Sequence, residues 1–425
     1  MSQQAIRIGN CSGFYGDRLS AMREMLEGGE LDYLTGDYLA ELTMLILGKD
    51  QMRDSSLGFA RTFLTQVEDC LGLALDKGVR LVTNAGGLNP AGLAARLGEI
   101  AAAQGLSPTI AWIDGDNLAP RAAELGFEGA LTANAYLGGF GIADALSQGA
   151  DIVVTGRVTD ASVVVGPAIH AFGWQRDDYD ALAGAVIAGH VIECGTQATG
   201  GNFAGFLDLP RDAKPLGFPL AEVSADGSSV ITKHPGTGGL VSIDTVTAQL
   251  VYEVQSAFYL GPDVTVDLGS IQLSDDGRDR VRISGVHGIA PPKDLKVATN
   301  HLGGFRNHME FVLVGLDIEE KARWVQTQLE AALDPRPASV EWSLGALPAP
   351  DADSEESAST LLRVVVKDPS AEVVGKAFSQ TAVELALASY PGFTMTAPPG
   401  RGSPYGVYRP AFVPRELVTE EVHVL

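Results

Sequence analysis

Four loops rich in asparagine, aspartate and glycine each follow a predicted strand, and their side chains could bind or transform a small ligand. The loops are residues 10–17 (NCSGFYGD), 84–90 (NAGGLNP), 114–117 (DGDN) and 156–162 (GRVTDAS). In an open parallel sheet, ligands bind at the carboxyl ends of the strands. We therefore expect the four loops to surround one pocket, although the same residue types are common in turns that bind nothing.

Asp114 and Asp116 flank Gly115 and are candidate catalytic residues. Two carboxylates in one tight turn could transfer a proton, hold substrate hydroxyls or simply cap the turn. They could also bind a divalent metal, but the sequence does not show which further ligands would join them. We predict acid–base chemistry at this turn and assign no metal site and no cofactor.

The other three loops supply candidate substrate contacts. Arg157 could hold a carboxylate or phosphate through two hydrogen bonds, and Asp160 either orients Arg157 or caps the next helix. The amides of Asn10 and Asn84, with loop N–H groups, could polarise a carbonyl oxygen. The remaining predicted contacts are Ser12, Gly86, Gly87 and Asn117. None of the loops matches a nucleotide-binding motif, which argues against a nucleotide-dependent dehydrogenase.

Two further groups lie later in the chain. Glu193 and Cys194 follow His190 at the end of a predicted helix, on one face of it. His190 could lower the pKa of the thiol and make Cys194 a nucleophile, with Glu193 as a general base, or the cysteine could be inert packing. Lys233 and His234 begin the segment KHPGTGG, which could bind an anionic part of a substrate or form a surface turn.

The elements that must position these residues alternate between short apolar strands and amphipathic helices in the first half of the chain. This alternation predicts an α/β fold with a mostly parallel sheet and flanking helices. A Pro-rich segment then separates it from an α+β stretch, and the last part has the β-α-β-β-α-β order of a ferredoxin-like unit. The predicted domains are 1–205, the parallel α/β domain with the site; 206–304, an α+β extension; and 305–425, a ferredoxin-like unit with a C-terminal tail.

Composition excludes several classes of function. The 425 residues are 45% hydrophobic, which is typical of a folded chain, and carry a net charge of −23, which disfavours nucleic acids and anionic membranes as partners. The three cysteines suit a reducing compartment, and neither a signal peptide nor a membrane span is predicted. We expect a cytoplasmic protein with a small-molecule substrate and, on general grounds, a homo-oligomer.

The stretches that carry these candidate residues are distinctive as a set. NCSGFYGD, TGDYLAELTM, NAGGLNP, IDGDN, GADIVVTGRVTDASVVVGPAIHAFGW, HVIECGTQATGGNF and KHPGTGG resemble the acyclic terpene utilisation protein AtuA family over nearly the whole chain. The resemblance implies a bacterial catabolic context, in which acyclic terpenes are degraded through branched acyl-CoA thioesters beside a biotin-dependent carboxylase, an acyl-CoA dehydrogenase and an enoyl-CoA hydratase. It assigns no catalytic residue, because the resemblance does not indicate which reaction the family catalyses.

The residues and the resemblance together predict an enzyme that acts on a branched or terpenoid acyl-CoA, or the related acid, by acid–base chemistry. Hydration, lyase cleavage and hydrolysis all remain open at this point. The alternative is a non-catalytic accessory or scaffold subunit of an acyl-CoA carboxylase pathway. A third interpretation is a protein that binds a sugar or phosphate ligand without turnover.

Overall fold

The computed structural model describes residues 4–211 and 214–425, and the chain divides into two compact units. The first unit contains the residues up to Asn300 together with Tyr408–Leu425, and the second is His301–Val407. The predicted domain boundaries near residues 205 and 304 stay a prediction. They describe parts of the chain that are expected to fold independently, whereas this division groups residues by their contacts. Within the described ranges, no helix is long and apolar enough to cross a membrane.

Helices and strands alternate through the first half of the chain. They are β1 Ile6–Asn10, α1 Ala21–Gly28, β2 Tyr33–Gly36, α2 Glu41–Arg53, α3 Arg61–Asp76, β3 Arg80–Thr83, α4 Pro90–Ala103, β4 Ile110–Asp114, β5 Ala130–Ala135, α5 Phe140–Ser147, β6 Ile152–Thr155, α6 Ser162–Phe172 and α7 Tyr179–Ile192. Pro90 opens α4, and the side chain of Asn89 accepts a hydrogen bond from the Gly92 N–H at 2.9 Å, which caps the start of this helix.

Strands dominate the rest of the chain. The elements are β7 Pro219–Val223, β8 Ser229–Lys233, α8 Ile243–Leu250, β9 Phe258–Leu260, β10 Thr265–Asp267, β11 Gln272–Asp275, β12 Arg280–Ser284, β13 His287–Ile289, β14 Asp294–Val314, α9 Ile318–Ala332, β15 Ser339–Leu344, β16 Ser359–Asp368, α10 Phe378–Glu384, β17 Thr394–Met395, β18 Ser403–Pro414 and β19 Glu421–Val424. The sequence of the C-terminal tail predicts a loop over residues 397–410, but β18 begins at Ser403 and pairs with β14, so this prediction is wrong in its second half.

The first unit is built on a ten-stranded sheet whose order is β11-β12-β8-β7-β1-β2-β3-β6-β4-β19. The five central strands β1, β2, β3, β6 and β4 are parallel, and the strands outside them pair antiparallel. The predicted α/β class with a mostly parallel sheet is therefore confirmed. Because all five parallel strands run in one direction, their carboxyl ends lie at one edge of the sheet.

The parallel strands are buried on both faces, as their alternating side chains require. Val82 and Val153 contribute to an apolar cluster with α5, α6 and α7, whereas their neighbours Leu81 and Ile152 contribute to a second cluster with α3 and α4. Helices thus cover both faces of the central strands, and the loops at the carboxyl ends of the strands are the place where a site can form.

The second unit has its own core and its own sheet. The end of β14, then α9, β15, β16, α10 and β17 follow in the predicted β-α-β-β-α-β order, and the strands are arranged β15-β16-β14-β17 with antiparallel pairing. Phe311, Val325 and Phe378 are fully buried between this sheet and its helices. This is the strand arrangement of a ferredoxin-like unit.

Candidate active site

Polar side chains follow the five parallel strands where each of them ends. We name three of these, Asn10, Asn84 and Asp116, the inner layer, and all three are buried. They were predicted to act on substrate, Asn10 and Asn84 as polarising amides and Asp116 as a proton-transfer group. The structure instead gives each of them partners within the protein.

The two inner-layer asparagines tie loops together. The Asn10 amide donates to the carbonyl oxygens of Ile192 (2.5 Å) and Glu193 (2.8 Å), and its Oδ1 accepts from the Ser12 N–H at 2.7 Å. Asn84 Oδ1 accepts from the Tyr38 N–H at 2.8 Å, and its Nδ2 donates to Asp37 Oδ1 at 2.6 Å. Because the N–H donors of both amides are engaged within the protein, they are poorly placed to polarise a substrate carbonyl.

Asp116 holds the loop after β6. Its Oδ2 accepts from the Arg157 N–H at 2.8 Å and from Asn134 Nδ2 at 2.7 Å. A Cβ at Gly156 would collide with this carboxylate, so the approach requires glycine. Burial raises the Asp116 pKa from 3.8 to about 6. Asp116 lines neither of the two cavities described below, and its contacts identify it as the residue that positions the Arg157 backbone.

A cavity of the first unit lies against this edge, and we call it the first cavity. Its volume is about 540 Å³. Its wall includes the start of α2, the loop after β6, the end of α7 and the start of β14. The ionisable and tyrosine side chains of the wall are Glu41, Tyr136, Arg157, Asp160, His190, Glu193, Glu253, Tyr259, Lys293, Asp294 and Lys296. Predicted residues Arg157, Asp160 and Glu193 are thereby brought to one cavity.

His190 and Glu193 form a buried pair in this wall, with His190 Nδ1 3.3 Å from Glu193 Oε1. α7 can place them here because Gly189 lets the helix approach Ala161 closely: a Cβ at Gly189 would lie 2.8 Å from the Ala161 carbonyl oxygen. His190 Nε2 and Glu193 Oε2 are buried without a hydrogen-bond partner among the described residues. Buried polar atoms normally have partners, so these two atoms keep unused hydrogen-bonding capacity.

Burial and the interaction between the two groups move both pKa values towards neutrality. Burial raises the Glu193 pKa from 4.5 to about 7 against the opposing effect of His190. Burial alone would lower the His190 pKa, but the hydrogen bond and charge of Glu193 outweigh it and raise the pKa above 6.5. Groups that titrate near neutral pH are suited to transfer protons in both directions.

Arg157 and Asp160 form an ion pair beside the catalytic candidates. Arg157 Nη1 lies 2.9 Å from Asp160 Oδ1 and donates to the Leu39 carbonyl oxygen, also at 2.9 Å. Burial raises the Asp160 pKa although Arg157 opposes it. Arg157 Nε is buried without a hydrogen-bond partner in the described parts of the chain, so the guanidinium keeps some capacity to bind a ligand.

Tyr136 links several residues of the wall that sequence reasoning missed. Its hydroxyl donates to Glu41 Oε1 at 2.8 Å, and its ring centre lies 4.4 Å from Arg157 Cζ and 4.8 Å from Lys296 Nζ. Two cations over one aromatic ring form cation–π contacts. Lys293 and Lys296 carry no local sequence signal. Lys293 precedes β14 and Lys296 lies near its start, in a stretch with no recognisable motif.

Cys194 follows the pair but is not a good nucleophile in this setting. The residue is half-buried and does not line the first cavity. Burial, followed by the negative charges of Glu193, Asp37 and Asp160, raises the pKa of its thiol well above the usual range. A thiolate is therefore disfavoured near neutral pH.

The remaining predicted residues near the strand ends lie outside the first cavity. Asp114 is half-exposed and lies 3.5 Å from His423 Nε2, so it does not share partners with Asp116. Asp114, Glu421 and His423 bring potential metal-ligand atoms within 4.8 Å of one another, at the pairing of β4 with β19. Exposed Asn117 accepts from the Ala119 N–H at 3.1 Å, and the Ser12 hydroxyl donates to the Phe14 carbonyl oxygen.

The predicted glycines and the basic segment also have definite places. A Cβ at Gly86 would collide with the Thr155 carbonyl oxygen, and Gly87 has a left-handed backbone with φ of 55°. Both therefore shape the loop after β3. Lys233 and His234 line a different cavity of about 490 Å³, the second cavity, which shares no lining residue with the first.

Comparison with known proteins identifies one similarity. A family model described as acyclic terpene utilisation family protein AtuA matches residues 6–424, which is nearly the whole chain. No curated protein and no solved structure matches the chain.

Proposed function

The chain belongs to the acyclic terpene utilisation AtuA family, and from this premise we propose that it is an acid–base enzyme acting on a branched acyl thioester or the related acid. Membership supports a catabolic role in terpene utilisation. The observation that carries the chemistry is the buried pair His190–Glu193, which lines the first cavity and whose Nε2 and Oε2 make no hydrogen bond among the described residues.

Addition of water to an enoyl substrate, or its reverse, is the reaction that the wall of this cavity favours. Glu193 takes a proton from water while the water oxygen bonds to the β-carbon, and protonated His190 delivers a proton to the α-carbon. The proton then passes from Glu193 to His190 across their 3.3 Å contact, which restores the starting state. Hydrolysis of a thioester would need dedicated donors for an oxyanion, and the amides of Asn10 and Asn84 are engaged elsewhere.

The cations of the wall suit the carbonyl or carboxylate end of such a substrate. Lys296 and Arg157 both contact the Tyr136 ring and both line the cavity, so two positive charges lie in its wall. The apolar residues of the wall suit a branched hydrocarbon chain: Leu260, Pro262, Pro292, Leu295 and Phe412. This combination supports an amphipathic substrate rather than a sugar.

The test is turnover of branched 2-enoyl-CoA thioesters and the corresponding free acids, followed by mass spectrometry for gain of one water. We expect Glu193→Gln and His190→Gln each to lower kcat by a factor of about 10²–10⁴, because each removes a proton-transfer group. The matched control is His287→Gln, which changes an exposed histidine paired with Asp180 at the other end of α7.

Two results would count against the proposal. Full turnover by Glu193→Gln would remove the pair from the mechanism. An accessory subunit would be favoured by two observations together. The unmodified protein would turn over none of these substrates, and both variants would still restore the growth of a deletion strain on terpenes.

A further inference from the structure

The second cavity is strongly basic although the chain as a whole carries a charge of −23. Its wall includes one carboxylate, Asp279, and five cationic residues: Arg7, Lys214, Lys233, Arg278 and Arg280. A local excess of positive charge in an acidic protein marks a surface that attracts anions.

Nearby carboxylates do not cancel this excess. Glu222 is shared, because Arg280 Nη2 lies 2.7 Å from its Oε2 and Arg7 Nε lies 3.6 Å from its Oε1. Asp276 lies 3.2 Å from Arg280 Nε. With Asp279, these make three carboxylates among the described residues against the four cations Arg7, Lys233, Arg278 and Arg280. Lys214 has a contact of its own and does not enter this balance.

Lys233 places a buried cation in the wall. The side chain is 5% exposed, and its Nζ donates to the Thr237 carbonyl oxygen at 3.0 Å and lies 3.4 Å from Asp279 Oδ2. A buried ammonium is costly unless carboxylates or a ligand compensate it. An anion in the cavity would add to the compensation that Asp279 supplies.

The loop that carries Lys233 is anchored. The His234 ring lies against Gly28 and Gly29, and its Nε2 is 3.0 Å from the Met25 carbonyl oxygen. Gly236 has a left-handed backbone with φ of 83°, and the space where its Cβ would lie is open. A cavity whose loop is already fixed loses little conformational entropy when a ligand binds.

We propose that the second cavity binds the phosphate of a phosphate monoester or diphosphate. Phosphate groups match a wall that carries several arginine and lysine side chains, because they accept several charge-assisted hydrogen bonds at once. The volume of about 490 Å³ is that of a small-molecule site rather than of a surface groove. The proposal is independent of the acid–base chemistry in the first cavity, since it concerns binding alone.

The test is isothermal titration of the full chain with inorganic phosphate, pyrophosphate, CoA and dephospho-CoA. We expect one pyrophosphate to bind per chain. Lys233→Gln should weaken binding about tenfold, because it removes a buried charge-assisted contact. Arg278→Gln should weaken it about two- to fivefold, because this arginine is almost fully exposed. The matched control, Arg96→Gln, alters an exposed arginine on α4 and should leave binding unchanged.

The outcomes separate cleanly. Arg278→Gln and Arg278→Glu change an exposed side chain and keep the test valid if Lys233→Gln fails to fold. Tighter binding of CoA than of pyrophosphate identifies a CoA phosphate as the source, and equal binding identifies the free anion. No saturable binding of any of the four probes, or binding equally strong in the Arg278 variants, would overturn the proposal.

Discussion

The inner layer and the pair His190–Glu193 lie at the same edge of the sheet, yet they differ in what their polar atoms contact. Asn10, Asn84 and Asp116 direct their side chains to backbone and side-chain groups of neighbouring loops. The pair keeps two buried atoms without partners in the described parts of the chain. Burial of a polar residue at a strand end is thus a poor indicator of catalysis, and unused hydrogen-bonding capacity inside a cavity is a better one.

The two layers are also coupled. Asn10 at the end of β1 holds the carbonyl oxygens of Ile192 and Glu193, so an inner-layer residue fixes the backbone that carries half of the pair. The comparison therefore predicts that inner-layer substitutions act on stability first, and that substitutions in the cavity wall act on ligand binding and turnover.

The largest effect on stability is expected from Asn10→Ala. It removes hydrogen bonds from two buried carbonyl oxygens and one N–H, at a cost of about 1–3 kcal/mol for each group, so we expect a loss of ~4 kcal/mol in the free energy of unfolding. The measurement is urea denaturation followed by circular dichroism. The control, Asn117→Ala, removes one exposed turn contact and should cost less than about 1 kcal/mol.

Equal losses in the two asparagine variants would contradict the distinction between the inner layer and the exposed turn. A stable Asn10→Ala protein that no longer bound substrate would return Asn10 to the list of direct substrate contacts.

The sequence predicted well which polar residues lie at the carboxyl ends of the parallel strands, because these positions depend on local patterns. Apolar runs such as those of β3 and β6, followed by Asn84 and by Arg157, are visible without a structure. The short strand β2 was missed, because its four residues lie between two helices without a strong apolar run. The buried Asp37, which follows this strand, was therefore missed as well.

The cavity wall was harder to predict because its residues meet only through the tertiary fold. Lys296 lies more than one hundred residues after Tyr136 along the chain, and nothing near it in the sequence indicates that β14 begins at the cavity. Likewise, Asn10 was identified correctly as a buried strand-end residue, but its partner lies 182 positions away. Local patterns indicate where a polar residue is, whereas only long-range packing decides whether its atoms are free.

Asp116 offers a test in which pH separates a positioning role from a catalytic one. Its pKa in the fold is about 6 against 3.8 for the ordinary carboxyl, so the folded protein binds an extra proton between these values. The contribution of Asp116 is therefore favourable below about pH 4, weakens as pH rises to 6, and leaves a buried charge that costs up to ~3 kcal/mol above it.

Asp116→Asn removes this titration. We expect the free energy of unfolding of the variant, relative to the unmodified protein, to increase by up to ~3 kcal/mol between pH 4 and pH 8. Asp54→Asn is a control of opposite sign, because the hydrogen bonds from Ser56 lower the pKa of that exposed carboxylate. A flat difference for Asp116→Asn, with a strong loss of turnover, would instead support a catalytic Asp116.

The smallest effect is expected in the wall of the first cavity, from Tyr136→Phe. The substitution removes the hydrogen bond to Glu41 but keeps the ring under Arg157 and Lys296, so we expect a loss of ~1–2 kcal/mol in the free energy of unfolding. Tyr136→Leu removes the ring as well and should cost a further ~1 kcal/mol through the lost cation–π contacts. Because both cations line the cavity, the leucine variant should also raise KM for an anionic substrate while the phenylalanine variant leaves it nearly unchanged. If the two variants raise KM equally, the hydroxyl rather than the ring positions the cations, and Glu41 becomes the residue through which the wall is organised.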